Sequence, residues 1–459
     1  MRFLLAASLF ALSAPAIAQQ SPDAARIKAE RDLFEKIVEI PTVKGHTAEF
    51  KRLTALLTAE FRKAGITNVV VKDHDGTQTL IARWPAARPS GKKPILLMAH
   101  MDVVEAKASD WKNPPFEFRE EKGYYLGRGS SDNKAGLTGI VLALQELKRS
   151  GFQPSRDIIV LFTGDEEVGG DGARRAATEW RPLIDSEFAL NFDAGGGARY
   201  KDGRIDAYYM QVAEKTYADY KLTATNKGGH SSAPRPDNAI YALAGALKNI
   251  EEYRFEPMIN VATRAFFERL AANDKGSYGE LIKQWLEDPK DRQISDLLEA
   301  NTPGYTRTRC VATQLSGGHA PNALPQRAEA NVNCRVFPGV SLEAVRNELQ
   351  TLSGKDVQVE LVDNSPPSDV SPMRDDVSNA YRDAARMKFP DAGIVPVQSA
   401  GATDGSYFRN AGIPVYGVGG QWGYLSEPEN AHGLDERVLV QGFHDQVPII
   451  VDLLKRLAG

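Results

Sequence analysis

Cysteine is scarce in this sequence. Two cysteines stand among 459 residues, so metal chemistry here has to rest on histidine and carboxylate and not on thiolate. Long basic runs are missing too, and the formal net charge is −4. Nucleic acid and anionic membrane surfaces are therefore poor partners. No internal repeat or low-complexity tract is present, and past the N-terminus no apolar run is long enough to span a bilayer. No His-Glu-x-x-His helix occurs, and neither Ser130 nor Ser406 sits in a Gly-x-Ser-x-Gly turn. A serine hydrolase built on either residue loses its usual strand-to-helix turn.

What is present is an ordinary globular composition, 42% apolar and 25% charged, long enough for two to three domains. The first residues differ. "MRFLLAASLFALSAPAIAQQ" has one Arg, an apolar centre and the small-x-small run Ala16-Ile17-Ala18. This reads as a cleaved signal peptide over residues 1–18, with export to the periplasm or outside the cell. The two cysteines, Cys310 and Cys334, flank "SGGHAPNALPQ". A hairpin symmetric about Asn322 would set them opposite each other, which allows a disulfide in an oxidising compartment; two free thiols fit the sequence equally well.

Residues 26–67 read as helical. "KPILLMAHMDVV", "DIIVLFTG" and "EFALNFDAGG" read as buried strands, and "NKAGLTGIVLALQELKRSG" as an amphipathic helix. Strand and helix alternate, which predicts an α/β fold with a mostly parallel sheet covered on both faces. The texture changes near residue 214, where "YADYKLTATNKGG" alternates with period two. A smaller inserted α+β unit follows over residues 214–362, with a polar helical piece at 255–305, and residues 363–459 return to the first unit, residues 26–213.

The acids and histidines of the first unit are not scattered. His100 and Asp102 end one apolar strand, Asp132 precedes the amphipathic helix, Glu166 and Glu167 end the next strand, where neighbours would point apart, and Asp193 ends the one after. In an open parallel sheet these strand ends share one crevice. His432 joins from the polar loop "PENAHGLDE". Imidazoles and carboxylates gathered so densely need a counter-charge, and the N/O donor set suits Zn²⁺, Co²⁺ or Mn²⁺. The ligands outnumber what one catalytic ion with an open position uses, so two ions are expected.

At this point the chain resembles the co-catalytic dizinc peptidases that include acetylornithine deacetylase, succinyl-diaminopimelate desuccinylase, glutamate carboxypeptidase, aminoacylase and carnosine dipeptidase. The matching stretches are "AHMDVV", "GRGSSDNKAG", "TGDEEVGG", "NFDAGG", "GGHSSAP", "PNALP", "NCRVFPG", "GATDGSYF" and "ENAHGLDE", in family order. Asp193 and the helical piece at 255–305 resemble the dipeptidase and vacuolar-type carboxypeptidase branch most. The resemblance implies that His100, Asp132 and Asp193 hold one Zn²⁺ and that Asp132, Glu167 and His432 hold the other, with Asp132 bridging. It implies that Asp102 orients His100 and that Glu166 is the general base toward a bridging water. It also implies a cis peptide after Asp132. In the inserted unit, a lid, it implies that His230 polarises the scissile carbonyl, often from a partner subunit, that Asn322 helps bind substrate, and that Arg335 clamps a carboxylate. A homodimer through the lid goes with that pattern. Two positions depart from the family: Ala135 where Gly is usual, and Asn333 where Asp is usual. Asp165 and His319 receive no role.

The activity implied is that of an exported dizinc metallohydrolase, a carboxypeptidase or dipeptidase cutting an amide beside a free carboxylate. N-acyl-amino-acid deacylation is the alternative. A non-catalytic binding protein on the same scaffold would have lost ligands or the base, and none is lost. Taken singly, each of these residues has a plainer reading: His230 a surface residue, Arg335 the partner of an acid in its own sheet, Asn322 a turn former. The aromatics of "RAFFERLAAN" read as core of the helical piece, or as lining of a larger apolar pocket.

Overall fold

The apolar runs Ile95–His100 and Ile158–Thr163 pair in parallel, and every residue of both is buried. The computed structural model describes residues 24–459; the expected signal peptide lies outside the described residues. Phe188–Asn191 joins Ile95–His100 in parallel on its other side, and Val415–Gly417 follows in parallel. Around this parallel centre the sheet becomes mixed. Thr77–Trp84 and Asn68–His74 continue it antiparallel on one flank, Ile205–Glu214 and Gly196–Arg199 on the other.

Helices cover both faces, as a buried sheet requires. On one face Lys134–Arg149 presents Leu137, Ile140, Val141, Leu144 and Leu147, spaced three or four apart, to a core shared with the helix Val440–Ala458. Lys148 and Arg149 complement the C-terminal end of its dipole, and Gly151, at φ 72°, lets the chain leave. The opposite face packs on a smaller cluster that includes Ala173, Ala176, Phe408 and Ile413. The expected helix over 26–67 is in fact two, Ala24–Val38 and Thr47–Lys63, parted by a break that contains Pro41 and Gly45 at φ 90°.

The chain leaves the large sheet after Glu214 and starts a second, four-stranded antiparallel sheet at Thr216. Its order is Arg309–Gly317, Arg327–Val336, Thr216–Thr225, Val357–Asn364. Two helices back one face: Ala239–Glu252, whose N-cap Asn238 accepts from the N–H groups of Ile240 and Tyr241, and Leu342–Ser353, capped by Ser341. Three further helices, Val261–Asn273, Ser277–Glu287 and Arg292–Glu299, close around Phe267, Ile282, Trp285 and Leu298. Phe267 of "RAFFERLAAN" is thus core. This group is tied to the large sheet, where Asn260 donates to Gln398 Oε1 at 2.6 Å and Asn273 to Asp206 Oδ1 at 2.6 Å. No helix among the described residues is long and apolar enough to cross a membrane.

Cys310 and Cys334 face each other across Arg309–Gly317 and Arg327–Val336 and are joined as a disulfide. The bond closes a loop of 24 residues, which restricts the unfolded chain by about 3 kcal/mol. Reduction, or Cys310→Ala with Cys334→Ala, is expected to lower unfolding stability by about that amount. Urea titration of oxidised and reduced protein checks it, and equal midpoints would contradict it.

Candidate active site

His100 is the last residue of its strand and only 1% exposed. Its Nε2 lies 2.9 Å from Asp132 Oδ1 and 3.2 Å from Asp193 Oδ1. Asp132 turns its other oxygen the opposite way: Oδ2 is 3.2 Å from His432 Nε2, which is 2.9 Å from Glu167 Oε2. One carboxylate thus faces two clusters, His100/Asp132/Asp193 and Asp132/Glu167/His432. A third overlapping group, His100/Glu166/Glu167, shows how close the general-base candidate stands. The five expected ligands, one from a strand end and four from separate turns and loops, meet in one crevice at the carboxyl end of the parallel strands.

Each loop has a local reason for its shape. The peptide Asp132–Asn133 is cis, as expected. Asn133 donates to Asp193 Oδ1 at 2.6 Å. A Cβ on Gly136 would lie 2.4 Å from Asn133 Oδ1 and 2.5 Å from the Phe192 carbonyl, so glycine is needed there, while Ala135 fits in a buried position. Glu166 and Glu167 do not end a strand. The strand stops at Thr163, and Glu166–Val168 form a single 3₁₀ turn. Asp165 makes that turn: its carboxylate accepts from Gly172 N at 3.0 Å and its carbonyl from Gly170 N at 2.8 Å. Burial, partly offset by the Gly172 N–H, pushes the Asp165 carboxyl up to about 6. The two glutamates therefore do not splay apart as strand neighbours would.

Asp102 is 1% exposed and serves two neighbours. Its carbonyl oxygen is 3.0 Å from His100 Nδ1 and its carboxylate 3.5 Å. The same carboxylate accepts from the N–H of Glu166 at 3.2 Å and of Glu167 at 3.0 Å. It braces the turn as much as the imidazole.

Charge balance is the open feature of this crevice. Among the described residues, Asp132, Glu167 and Asp193 form ion pairs with His100 and His432 alone. Burial opposes charge on His100, but Asp193, Asp102 and Asp132 hold its imidazole well above its ordinary value. Hydrogen bonds to Asp132 and Glu167 raise His432 to about 10. Burial raises the carboxyls of Glu166, Glu167 and Asp193. For Asp132 burial works the same way, yet the two imidazoles win and hold it below the usual range. The Glu166 carboxylate makes no hydrogen bond or ion pair among the described residues, which leaves it free to carry a proton.

Glu166 and Glu167 line a cleft of about 430 Å³ together with Tyr217, Arg335, Asp404 and Tyr407. The Arg335 guanidinium stacks over Tyr217, 4.9 Å from the ring centre, and takes part in no ion pair or hydrogen bond among the described residues. The plainer reading, pairing with an acid of its own sheet, is not what is found: Asp219 binds Asn333 at 2.8 Å and Asn331 at 3.0 Å instead. His230 and Asn322 come together elsewhere, on the small ladder of Gly229–His230 with Ala323–Leu324, where Ser231 N donates to Asn322 O at 3.0 Å. Both are exposed, and no hydrogen bond joins them to the carboxylate cluster. Sequence reasoning gave no individual role to Asp404, buried, accepting from Thr163 Oγ1 at 2.5 Å, within a loop that resembles the family's pocket lining, and none to Glu436. The one signal for either was its place in a quoted stretch, "GATDGSYF" or "ENAHGLDE".

Residues 96–458 match the model of peptidase family M20/M25/M40. The chain belongs to that family. It is 28% identical over 444 residues to "N-fatty-acyl-amino acid synthase/hydrolase PM20D1.1" of Danio rerio, covering 92% of this chain and 85% of that protein. It is 28% identical to aminoacylase-1 of Sus scrofa, covering 93% and 95%. Among solved structures it is similar in fold to an M20 family metallo-carboxypeptidase of Sulfolobus solfataricus, with TM-score 0.69, 18% identity and coverage of 93% and 98%. Human carnosine dipeptidase 1 gives TM-score 0.66 at 13% identity, covering 94% and 96%. Family membership makes the chain a hydrolytic enzyme of the metallopeptidase and amidohydrolase kind, acting on peptide or acyl-amino-acid bonds.

The protonation pattern sets a pH dependence. Before metal binds, raised imidazoles and the raised carboxyls of Glu167 and Asp193 hold protons that a cation must displace, while Asp132 is already ionised. Divalent metal should therefore bind more tightly as pH rises through the neutral range and release protons as it does. Calorimetric titration in buffers of differing ionisation enthalpy measures this; binding with no proton release would contradict it. His100→Ala should lose metal, read as bound ion per chain.

Proposed function

We propose that this chain is an exported dizinc amidohydrolase that cleaves an amide bond beside a free carboxylate. The observation that carries the reading is the unpaired guanidinium of Arg335 in the same cleft as the unpaired carboxylate of Glu166. A cation and a base that share one cleft, neither of them paired among the described residues, suit an anionic substrate laid there.

The residues fit a pair of divalent ions. Five N/O donors, no thiolate, and one aspartate whose two oxygens face separate clusters match two sites sharing a bridge. Zn²⁺ is proposed, with Co²⁺ or Mn²⁺ compatible with the same donors. When bound, the ions supply Lewis-acid activation of water and of the amide carbonyl. Glu166 takes the proton from the attacking water and hands it to the leaving nitrogen. Asp102 keeps His100 and the Glu166–Glu167 turn in place. Arg335, held flat by Tyr217, grips the substrate carboxylate with two parallel N–H groups.

Dipeptides and C-terminal peptide bonds fit this scheme, and so do N-acyl amino acids. The second class is favoured by the similarity to the N-fatty-acyl-amino acid synthase/hydrolase and to aminoacylase-1. The four-stranded sheet and its helices are proposed as a lid, and a homodimer through that lid is proposed as well. Its outer strand Arg309–Gly317 is an open edge, with Val311 60% and Leu315 71% exposed. Such edges pair with a second chain unless blocked. His230 and Asn322 would then serve the site of the partner chain. The Cys310–Cys334 disulfide supports export to an oxidising compartment.

Turnover of dipeptides against N-acyl amino acids by the mature protein tests the substrate class. Glu166→Gln should keep its metal and lose kcat by about 10²–10⁴-fold; retained turnover would refute the base assignment. Arg335→Ala should raise KM for substrates with a free carboxylate and leave carboxyl-amidated ones little changed. An equal loss on both would refute the clamp. Leu315→Lys should shift the protein to monomer in light scattering; an unchanged mass would refute the edge-to-edge dimer.

A further inference from the structure

The loop that brings Asp132 into the crevice has little structure of its own. Gly127 and Gly129 take φ of 152° and 81°, and a Cβ on Gly129 would lie 2.4 Å from Val103 Cγ1. One side chain from the far end of the chain holds this loop. Glu436, 1% exposed, accepts from the N–H of Gly129 at 2.8 Å, of Ser131 at 3.0 Å and of Asp132 at 3.0 Å. It also accepts from the Ser131 hydroxyl at 3.1 Å and from Arg128 Nη1 at 2.7 Å. Its own carbonyl accepts from Gly127 N at 3.1 Å.

Arg128 extends the link. It is 3% exposed, lies 5.3 Å from the centre of the Trp111 ring, and donates Nη2 to the carbonyl of His432 at 3.2 Å. Asp132 and His432 are thus held on two loops that converge on one buried carboxylate–guanidinium pair. His432 itself sits at φ 62°, a conformation an L residue keeps only when its surroundings impose it. Neither Glu436 nor Arg128 reaches the crevice.

We propose that Glu436 is a positioning residue for the metal centre. It clamps the Asp132 loop to the His432 loop, so that the ion shared by Asp132, Glu167 and His432 meets a preformed site. The inference rests on the two-ion reading above. A merely structural brace would matter alike to both ions, because it would act on the fold. The geometry instead places the clamp on two ligands of one ion and on a single ligand of the other.

Glu436→Gln tests this in the full chain. The amide keeps the shape but accepts at one end only, so it turns an NH₂ group on donors at the other. Zn²⁺ affinity is read stepwise against a chromophoric chelator, with His432→Ala as reference for the step that depends on His432. The expected result is a loss of about 10–100-fold in that same step, with the other step within about threefold of wild type. Arg128→Lys, which keeps the charge and loses the second donor to His432, should move the same step in the same direction by less, and serves where Glu436→Gln does not fold. Two unchanged steps, or two steps weakened equally, would overturn the clamp while leaving the two-ion reading intact. A wild-type chain that binds fewer than two ions would overturn that reading, and the clamp with it.

Discussion

Asp132, Glu167 and Asp193 crowd three carboxylates around two imidazoles, His100 buried and His432 exposed at the mouth of the crevice. Like charges this close repel more strongly as the local dielectric falls, and the architecture around them answers that repulsion. The braces are themselves acids that never face the crevice. Asp102 accepts from two N–H groups of the Glu166–Glu167 turn, Asp165 from Gly172, and Glu436 from three N–H groups of the Asp132 loop. Outer carboxylates hold backbone, and the backbone holds the inner carboxylates. Most of those donors are neutral amides, so the crevice keeps a deficit of positive charge that the proposed metal ions would fill.

A second constraint is set by the small sheet. It sends Arg335 and Tyr217 to the cleft from strands that belong to a different core from the metal-ligand loops. A guanidinium stacked on an aromatic ring, with no ion pair among the described residues, is placed to receive an anion. The same sheet ends in the open edge Arg309–Gly317, with its disulfide to the neighbouring strand tying down one end. Reading of the substrate and assembly of the chain are thereby proposed to share one unit, while proton transfer stays with the parallel sheet.

The sequence told much of this in advance. Buried parallel strands were legible because continuous apolar runs such as "DIIVLF" leave few other options, and the helix after Asp132 because its apolar spacing is unambiguous. Hairpin symmetry allowed Cys310 to meet Cys334 but left the bond open against two free thiols, and the structure decided it. Less legible were features that depend on one or two residues: the break at Pro41 and Gly45, and the turn at Glu166, where the sequence pattern reads as a continuing strand. Local hydropathy does not register a turn that a single carboxylate makes by accepting N–H groups seven residues away.

By itself the sequence determined the chemistry available: which donors exist, that they are imidazole and carboxylate, and that His100, Glu167 and Asp193 stand at or just past apolar runs. Only the tertiary structure decided how they divide. It turned the two oxygens of Asp132 to opposite clusters, left the Glu166 carboxylate and the Arg335 guanidinium without a hydrogen bond or ion pair among the described residues, and put His230 and Asn322 on a separate small ladder. It also joined Glu436 to a loop some three hundred residues earlier. Composition and periodicity are local quantities, whereas hydrogen-bond pairing across such separations is set by the packing of the whole chain, and no window of sequence contains both partners.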